Sequence, residues 1–384
     1  MIIRIENGRV ITDGEIREAY VYVENGTILA VTKDEMPFDQ SVDAHGLYVA
    51  PGFVDMHTHG AIGVDFTSDT AENFARAVDF HMTHGTTTIL PTITASSMET
   101  MVRALGAMEE LIDKKYAKAN VPGAHMEGPY FSPTAAGAQD PQFITDPIPA
   151  DYTALTERYG KVIRRWSYAP ERDRDQSFTR YLMEHGILPA AGHTDAILAE
   201  LKPAFEAGCR LVTHLYSCTS TITRDHGFRR LGVIECAYLW DDMDVEIIAD
   251  GCHLPPDLIK LIVKQKGVDR VSLVTDSLQV AGTTAKESSC GTTKCIIEDG
   301  VCKLLDRSAF AGSIATMDRL VRVCTKDAGI PLADAITMAA ATPARVLGLN
   351  KGRIAAGLDA DILFFDEDIN IKRVFVGGES VYEA

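Results

Sequence analysis

The sequence predicts an α/β fold: a (β/α)8 TIM barrel with a small β-sandwich built from both chain ends. Three observations carry that expectation. Apolar β-type runs alternate with longer amphipathic helical stretches through the middle of the chain. Both ends are strand-rich and punctuated by Gly and Asn-Gly turns. Polar, metal-liking side chains recur where the middle runs stop. The boundaries that follow are 1–50 and 347–384 for the sandwich and 51–346 for the barrel.

Taken in order, MIIRIENGRVI and AYVYVENGTILAV open the chain as β-branched or aromatic runs, each carrying an Asn-Gly hairpin signal. Eight candidate strands then begin at YVAPGFVDMH (48–57), TTTILPT (86–92), VPGAHME (121–127), KVIRRWSYAP (161–170), ILPAAGH (187–193), RLVTHLY (210–216), VEIIAD (245–250) and VSLVTD (271–276). Helical patterns separate them, among them residues 71–85, 98–120 and 195–208. The close, KGRIAAGLDADILFFDEDINIKRVFVGGESVYEA, returns to Gly-marked β runs, so the two ends are expected to pair around an inserted barrel. No GxGxxG follows the first strand, which weighs against a dinucleotide-binding sheet.

Composition narrows the function. Among 384 residues, 37 Lys+Arg face 54 Asp+Glu, a formal charge of −17 that disfavours a nucleic-acid backbone as partner. Local fields still allow a small anionic substrate. No apolar run approaches the ~20 residues of a membrane span, and MIIRIENGRV lacks the layout of a signal peptide, so a cytoplasmic enzyme is the expectation. The eight cysteines (209, 218, 236, 252, 290, 295, 302 and 324) form no CxxC pair and are expected to be buried hydrophobes or free thiols.

In a barrel, polar residues at the carboxyl ends of strands converge on one mouth. Here those ends carry His57-Thr58-His59, His125-Met126-Glu127, His193-Thr194-Asp195, Thr213-His214, Asp250-Gly251 and Thr275-Asp276-Ser277. Residues two apart on a strand share a face, so His57 and His59 both aim into the mouth. Imidazole and carboxylate suit a borderline divalent ion, and Glu127, His193 and His214 add ligands from other strands. A lone histidine is more often a hydrogen-bonded structural residue, but five such groups gathered at strand ends are not explained that way. Asp276 reads either as a helix N-cap or as a carboxylate that takes a proton from metal-activated water and passes it to a leaving group. His81 and His84 read as polar residues suiting a helix C-terminus, His45, His185 and His226 as unassigned, and His125 as a support for the ligands.

PGFVDMHTHG (51–60), those ligands and Asp276 together resemble the amidohydrolase superfamily. HMEGPYFSP (125–133), GAQ (137–139), YAPE (168–171), AGHTDA (191–196), THLY (213–216), IIADGCH (247–253), LVTD (273–276), AGSIATMD (311–318) and TPARVLGL (342–349) resemble, within it, the N-acetylglucosamine-6-phosphate deacetylase family. GRIAAGLDADILFFD (352–366) resembles that family's return to its sandwich. The resemblance implies metal-dependent removal of an N-acetyl group from an amino-sugar phosphate. It implies one or two divalent ions (Zn, Fe, Mn or Co), one held by Glu127, His193 and His214 and a second by His57 and His59. It also implies Asp276 as acid–base, Gln139 near the acetyl carbonyl, His253 on the sugar or its phosphate, and Arg224 reaching the phosphate across a homodimer.

One segment departs from the family. Ser217-Cys218-Thr219 stands where Asn-Ala-Met is usual, and the following stretch offers Arg224, Arg229 and Arg230. Hydroxyl and guanidinium groups can both bind phosphate. N-acetylgalactosamine-6-phosphate or another N-acylated amino sugar therefore stays open as substrate. A cyclic-amide hydrolase on the same barrel would use a bridging lysine at the end of the fourth strand, where this chain has Ala169-Pro170-Glu171. A non-catalytic scaffold is the remaining alternative.

Overall fold

The computed structural model describes residues 1–290 and 293–384. Its centre is a sheet of eight strands: β1 (Phe53–Thr58), β2 (Thr86–Thr94), β3 (Ala124–Glu127), β4 (Ile163–Tyr168), β5 (Leu188–Ala191), β6 (Leu211–Val212), β7 (Asp244–Ile247) and β8 (Val271–Leu273). Neighbours pair in parallel and in sequence order, the register of a barrel rather than of an open doubly wound sheet. Each strand coincides with one of the eight runs anticipated above. The barrel is closed at its mouth by side chains as well as backbone. Asp276 N donates to His57 O at 2.9 Å, and the buried Asp55 carboxylate accepts from Thr275 Oγ1 at 2.5 Å and Thr275 N at 3.2 Å.

Helices return the chain between strands. The helix Ala71–Thr83 after β1 is capped by Thr70, whose side chain accepts from Asn73 N, and Met98–Asp113 after β2 is capped by Ser97 in the same way. The second helix stops earlier than its pattern suggested. Lys115 takes a left-handed turn (φ 50°), because Asn120 must run back alongside β2, exchanging backbone hydrogen bonds with Thr87 and Ile89. The layer between strands and helices is dense and aromatic. Trp166 is fully buried, stacks on Tyr130 at 5.8 Å and donates from Nε1 to Gly128 O at 2.8 Å, with Phe178 edge-on to both.

The chain ends pair as anticipated. Tyr48–Pro51 lies antiparallel to Ile362–Phe365 in a six-stranded sheet, and Ile2–Glu6 belongs to a four-stranded one. Ile5, Val21, Ile28, Val49, Ile362 and Phe364 fill the space between. The run 48–57 is thus two strands. Gly52 separates them because a Cβ there would lie 2.0 Å from Thr87 Oγ1.

Among the elements not foreseen is a short ribbon pairing Gly60–Ala61 with Val64–Asp65, and two larger insertions join it. Thr223–Asp225 and Phe228–Arg230 form a hairpin. Glu287–Cys290, Thr293–Glu298 and Val301–Leu304 form a three-stranded antiparallel sheet between β8 and the next helix. The Asp299-Gly300 turn after an apolar run was its available signal. Cys209, Cys236, Cys295, Cys302 and Cys324 are buried and Cys218 and Cys252 half-buried; the side chain of Cys290 lies outside the described residues. Among the described residues, no helix is long and apolar enough to cross a membrane.

Candidate active site at the barrel mouth

The strand-end residues converge on one buried carboxylate. Glu127, at the end of β3, has Oε1 3.3 Å from His57 Nε2, 3.2 Å from His193 Nε2 and 3.3 Å from His214 Nε2. Its Oε2 lies 3.3 Å from His59 Nε2 and accepts from Gln139 Nε2 at 2.7 Å. Asp276 faces the same cluster, its Oδ1 3.4 Å from His57 Nε2 and 3.2 Å from His59 Nε2. His57, Glu127 and His214 form one group with the spacing of a metal site, and His57, His59 and Asp276 form another. His193, expected beside Glu127 and His214, reaches both, its Nε2 being 3.2 Å from that of His214.

Holding these groups inward needs unusual backbone. His193 (φ 47°), His214 (φ 31°) and Asp276 (φ 47°) all sit in the left-handed region, where a non-glycine residue is strained. Each lies two or three residues past a strand end, so the turn rotates the side chain over the mouth instead of continuing the pleat. Hydrogen bonds at the far ring nitrogens fix two of the rings: His59 Nδ1 lies 3.0 Å from Thr94 Oγ1, and His193 Nδ1 lies 3.0 Å from Ala135 O.

Electrostatics confirm that the cluster is built around positive charge. Burial opposes ionisation everywhere here, yet Glu127 is held well below the usual carboxylate range by His57, His193 and His214. Asp276, against its burial, is drawn down to about 2 by His57 and His59. Burial likewise opposes charge on His57 and His59, but the two carboxylates raise them to about 9 and about 10. Two anions thus call protons onto imidazoles that are directed at one another. A divalent cation satisfies the same carboxylates while leaving the imidazoles neutral, and inward Nε2 atoms with carboxylate oxygens are a fitting donor set for it.

His125 is excluded from the ligands by its own hydrogen bonds. Its Nε2 lies 2.7 Å from Ser167 Oγ and its Nδ1 3.1 Å from Thr92 Oγ1, and burial together with Arg165 pushes its pKa well down. His81 lies in the last turn of its helix, as expected, but as a fully buried group: its Nε2 lies 3.0 Å from Gly60 O, and burial lowers it to about 4. His84 is half-buried and lies 3.2 Å from Asp318.

Above the cluster opens a cleft of about 240 Å3. Gln139, Ser217, Cys218 and His253 all line it, as the motif reading expected. Gln139 also accepts from Ala95 N at 3.1 Å, so it ties Glu127 to the β2 loop. His253 is oriented by Asp250, with Nδ1 2.9 Å from its Oδ2. Cys218 packs so closely on Gly137 that a Cβ at 137 would be 2.6 Å from its Sγ. Arg224 does not line the cleft of its own chain: it is exposed on the unforeseen hairpin, as is Arg229, while Arg230 pairs with Asp225. Sequence reasoning missed the far wall, Ala309 to Gly312, where the loop from the three-stranded sheet brings Phe310 against His253 at 4.8 Å.

Residues 48–381 match the family model for the amidohydrolase family. The chain belongs to the amidohydrolase family. This amidohydrolase is 29% identical to an N-acetylglucosamine-6-phosphate deacetylase of Bacillus subtilis (strain 168), over 96% of this chain and 94% of that protein. It is 27% identical to the enzyme of the same name from Caenorhabditis elegans, over 100% of this chain and 95% of that one. Among solved structures, an N-acetylglucosamine-6-phosphate deacetylase from Pasteurella multocida superposes with a TM-score of 0.92 at 27% identity, covering 99% of both chains. A mutant deacetylase from Mycobacterium smegmatis, solved in complex with N-acetyl-D-glucosamine-6-phosphate, superposes with a TM-score of 0.90 at 29% identity, again over 99% of both.

Proposed function

We propose that this amidohydrolase hydrolyses the N-acetyl group of N-acetylglucosamine-6-phosphate, releasing acetate and the free amino-sugar phosphate. The observation that carries the reading is the convergence of His57, His59, His193, His214 and Asp276 on Glu127 beneath a sugar-sized cleft. Similarity over nearly the whole chain to deacetylases of that name supports it.

Glu127, His193 and His214 would hold one divalent ion, and His57 and His59 would help to hold a second. Such an ion supplies a Lewis acid for the amide carbonyl and brings the ionisation of water towards neutrality. Asp276, held ionised, accepts the proton of the attacking water at its carboxylate and then delivers it to the departing amine nitrogen. Without that delivery an amine is a poor leaving group. Gln139, which donates to Glu127, stands where its amide can also meet the acetyl carbonyl. His253, fixed by Asp250, presents Nε2 to the sugar. Chain-end binding of the 6-phosphate falls to Ser217, Cys218 and, from a second subunit of a homodimer, Arg224.

The Ser217-Cys218 wall favours one second reading, a related sugar such as N-acetylgalactosamine-6-phosphate. Acetate release by the metal-loaded protein from each 6-phosphate tests both. The first reading expects the glucosamine compound to be the better substrate, and the second expects the reverse order.

A further inference from the structure

Beneath the imidazoles, the barrel interior carries an ion pair where branched apolar side chains are usual. Arg165 on β4 and Glu246 on β7 are both fully buried. Arg165 grips both carboxylate oxygens, with Nη2 donating to Oε2 at 2.9 Å and Nη1 paired to Oε1. The same two Nη atoms also donate to Met56 O at 3.0 Å and Thr213 Oγ1 at 3.0 Å, which ties the guanidinium to β1 and to the residue after β6. Replacing such a pair with apolar side chains is commonly neutral or stabilising, so stability alone does not account for it.

What lies above the pair supplies the other half of the argument. Glu246 Oε2 is 3.6 Å from His57 Nδ1, within ion-pair range. It also accepts from His214 N at 3.4 Å. The inward imidazoles thus differ in what backs them. His59 Nδ1 meets a hydroxyl and His193 Nδ1 a carbonyl, whereas the Nδ1 atoms of His57 and His214 are both buried without a hydrogen-bond partner; of these two, His57 has a carboxylate within ion-pair range, Glu246 Oε2 at 3.6 Å. His57 is also the residue shared by both metal-spaced groups. A carboxylate behind a ligating histidine fixes its tautomer and makes the ring a stronger donor.

We propose that Glu246 is a positioning residue for divalent-ion binding. It backs His57 on the Nδ1 side and leaves Nε2 directed towards Glu127 and Asp276, while Arg165 anchors Glu246 through both carboxylate oxygens. This rests on the metal-dependent reading of the site but not on the identity of the substrate.

The test is ion affinity rather than turnover. Metal-free wild type, Glu246→Gln and the double variant Arg165→Met with Glu246→Leu are titrated with Zn2+ against a chromogenic chelator, beside thermal unfolding of each metal-free form. The double variant is expected to unfold at or above the wild-type temperature, yet to bind Zn2+ about 10- to 100-fold more weakly. A double variant that folds as well and binds with the wild-type Kd overturns the proposal. A second measurement needs no variant. In zinc-loaded wild type carrying 15N-histidine, His57 should show a protonated Nδ1 and a zinc-shifted Nε2, and ligation through Nδ1 would equally overturn it. Wild type that binds Zn2+ but releases no acetate from the sugar phosphate would remove the deacetylase reading and leave this one intact.

Discussion

Asp276→Asn isolates the acid–base step. Asparagine is the replacement best able to keep this residue's left-handed backbone, since Asn and Asp both visit φ near 47° readily. The backbone bonds that seat it, from its own N–H to His57 O at 2.9 Å and from Ser313 N to its carbonyl at 2.8 Å, do not involve the side chain. Glu127 keeps its contacts with all four inward imidazoles, so ion binding should survive. What disappears is the proton acceptor 3.2–3.4 Å from His57 and His59. A general acid–base group contributes roughly 10^2- to 10^4-fold. At about 1.36 kcal/mol per decade, that is about 3 to 5 kcal/mol of barrier. The assay is kcat for acetate release with metal content measured on the same sample. A variant with full metal content and a kcat within tenfold of wild type refutes the assignment. Loss of the metal along with activity would instead make Asp276 a ligand.

Three further outcomes follow from the geometry. His81 has a folded pKa of about 4 against an unfolded value near 6.5, so the stability of its neutral buried form is complete above pH 6.5 and falls as pH drops towards 4, by on the order of 3 kcal/mol in all. Urea unfolding at pH 7 and pH 4.5 should show a smaller difference for His81→Asn than for wild type, and equal differences would contradict the neutral buried state. Chelation should abolish acetate release and lower the thermal midpoint, because two buried carboxylates lose their counter-ion; the midpoint should recover on adding back a divalent ion. Gln139→Ala leaves the buried Ala95 N–H unpaired and frees Glu127 Oε2, so urea titration should register a loss of about 1–3 kcal/mol together with a lower kcat/KM.

Much of the barrel was legible because its strands end in the residues that matter. His57 is on β1 and His59 stands one residue past its end, so the strand's alternation, carried on by one residue, sends both inward. The sandwich was legible for a different reason: turn chemistry at 7–8 and 25–26 and the β texture of the last segment are local signals. What stayed hidden depends on contacts across the barrel. Nothing in KVIRRWSYAP says which of two adjacent arginines turns inward; Arg164 is exposed and Arg165 fully buried. Its partner Glu246 is 81 residues away, so only the closed sheet brings the charges together. A Glu in the middle of the apolar run VEIIAD was the one available hint, since a buried carboxylate requires a partner. The burial of His81 stayed hidden for a related reason. Helix periodicity places it near a C-terminus but cannot report that β1 lies against that face. Arg224 was assigned by family resemblance alone, and it does not line the cleft of its own chain.

Acetate release across three substrates decides whether this amidohydrolase carries out metal-dependent deacetylation of an amino-sugar 6-phosphate. Metal-loaded protein is assayed with N-acetylglucosamine-6-phosphate, its unphosphorylated sugar and the galactosamine 6-phosphate. The first should give stoichiometric acetate, with a kcat/KM at least ~10-fold higher than that of the unphosphorylated sugar, the scale of a single charge-assisted contact. No acetate from any of the three, with the divalent ion bound, would contradict the deacetylase reading.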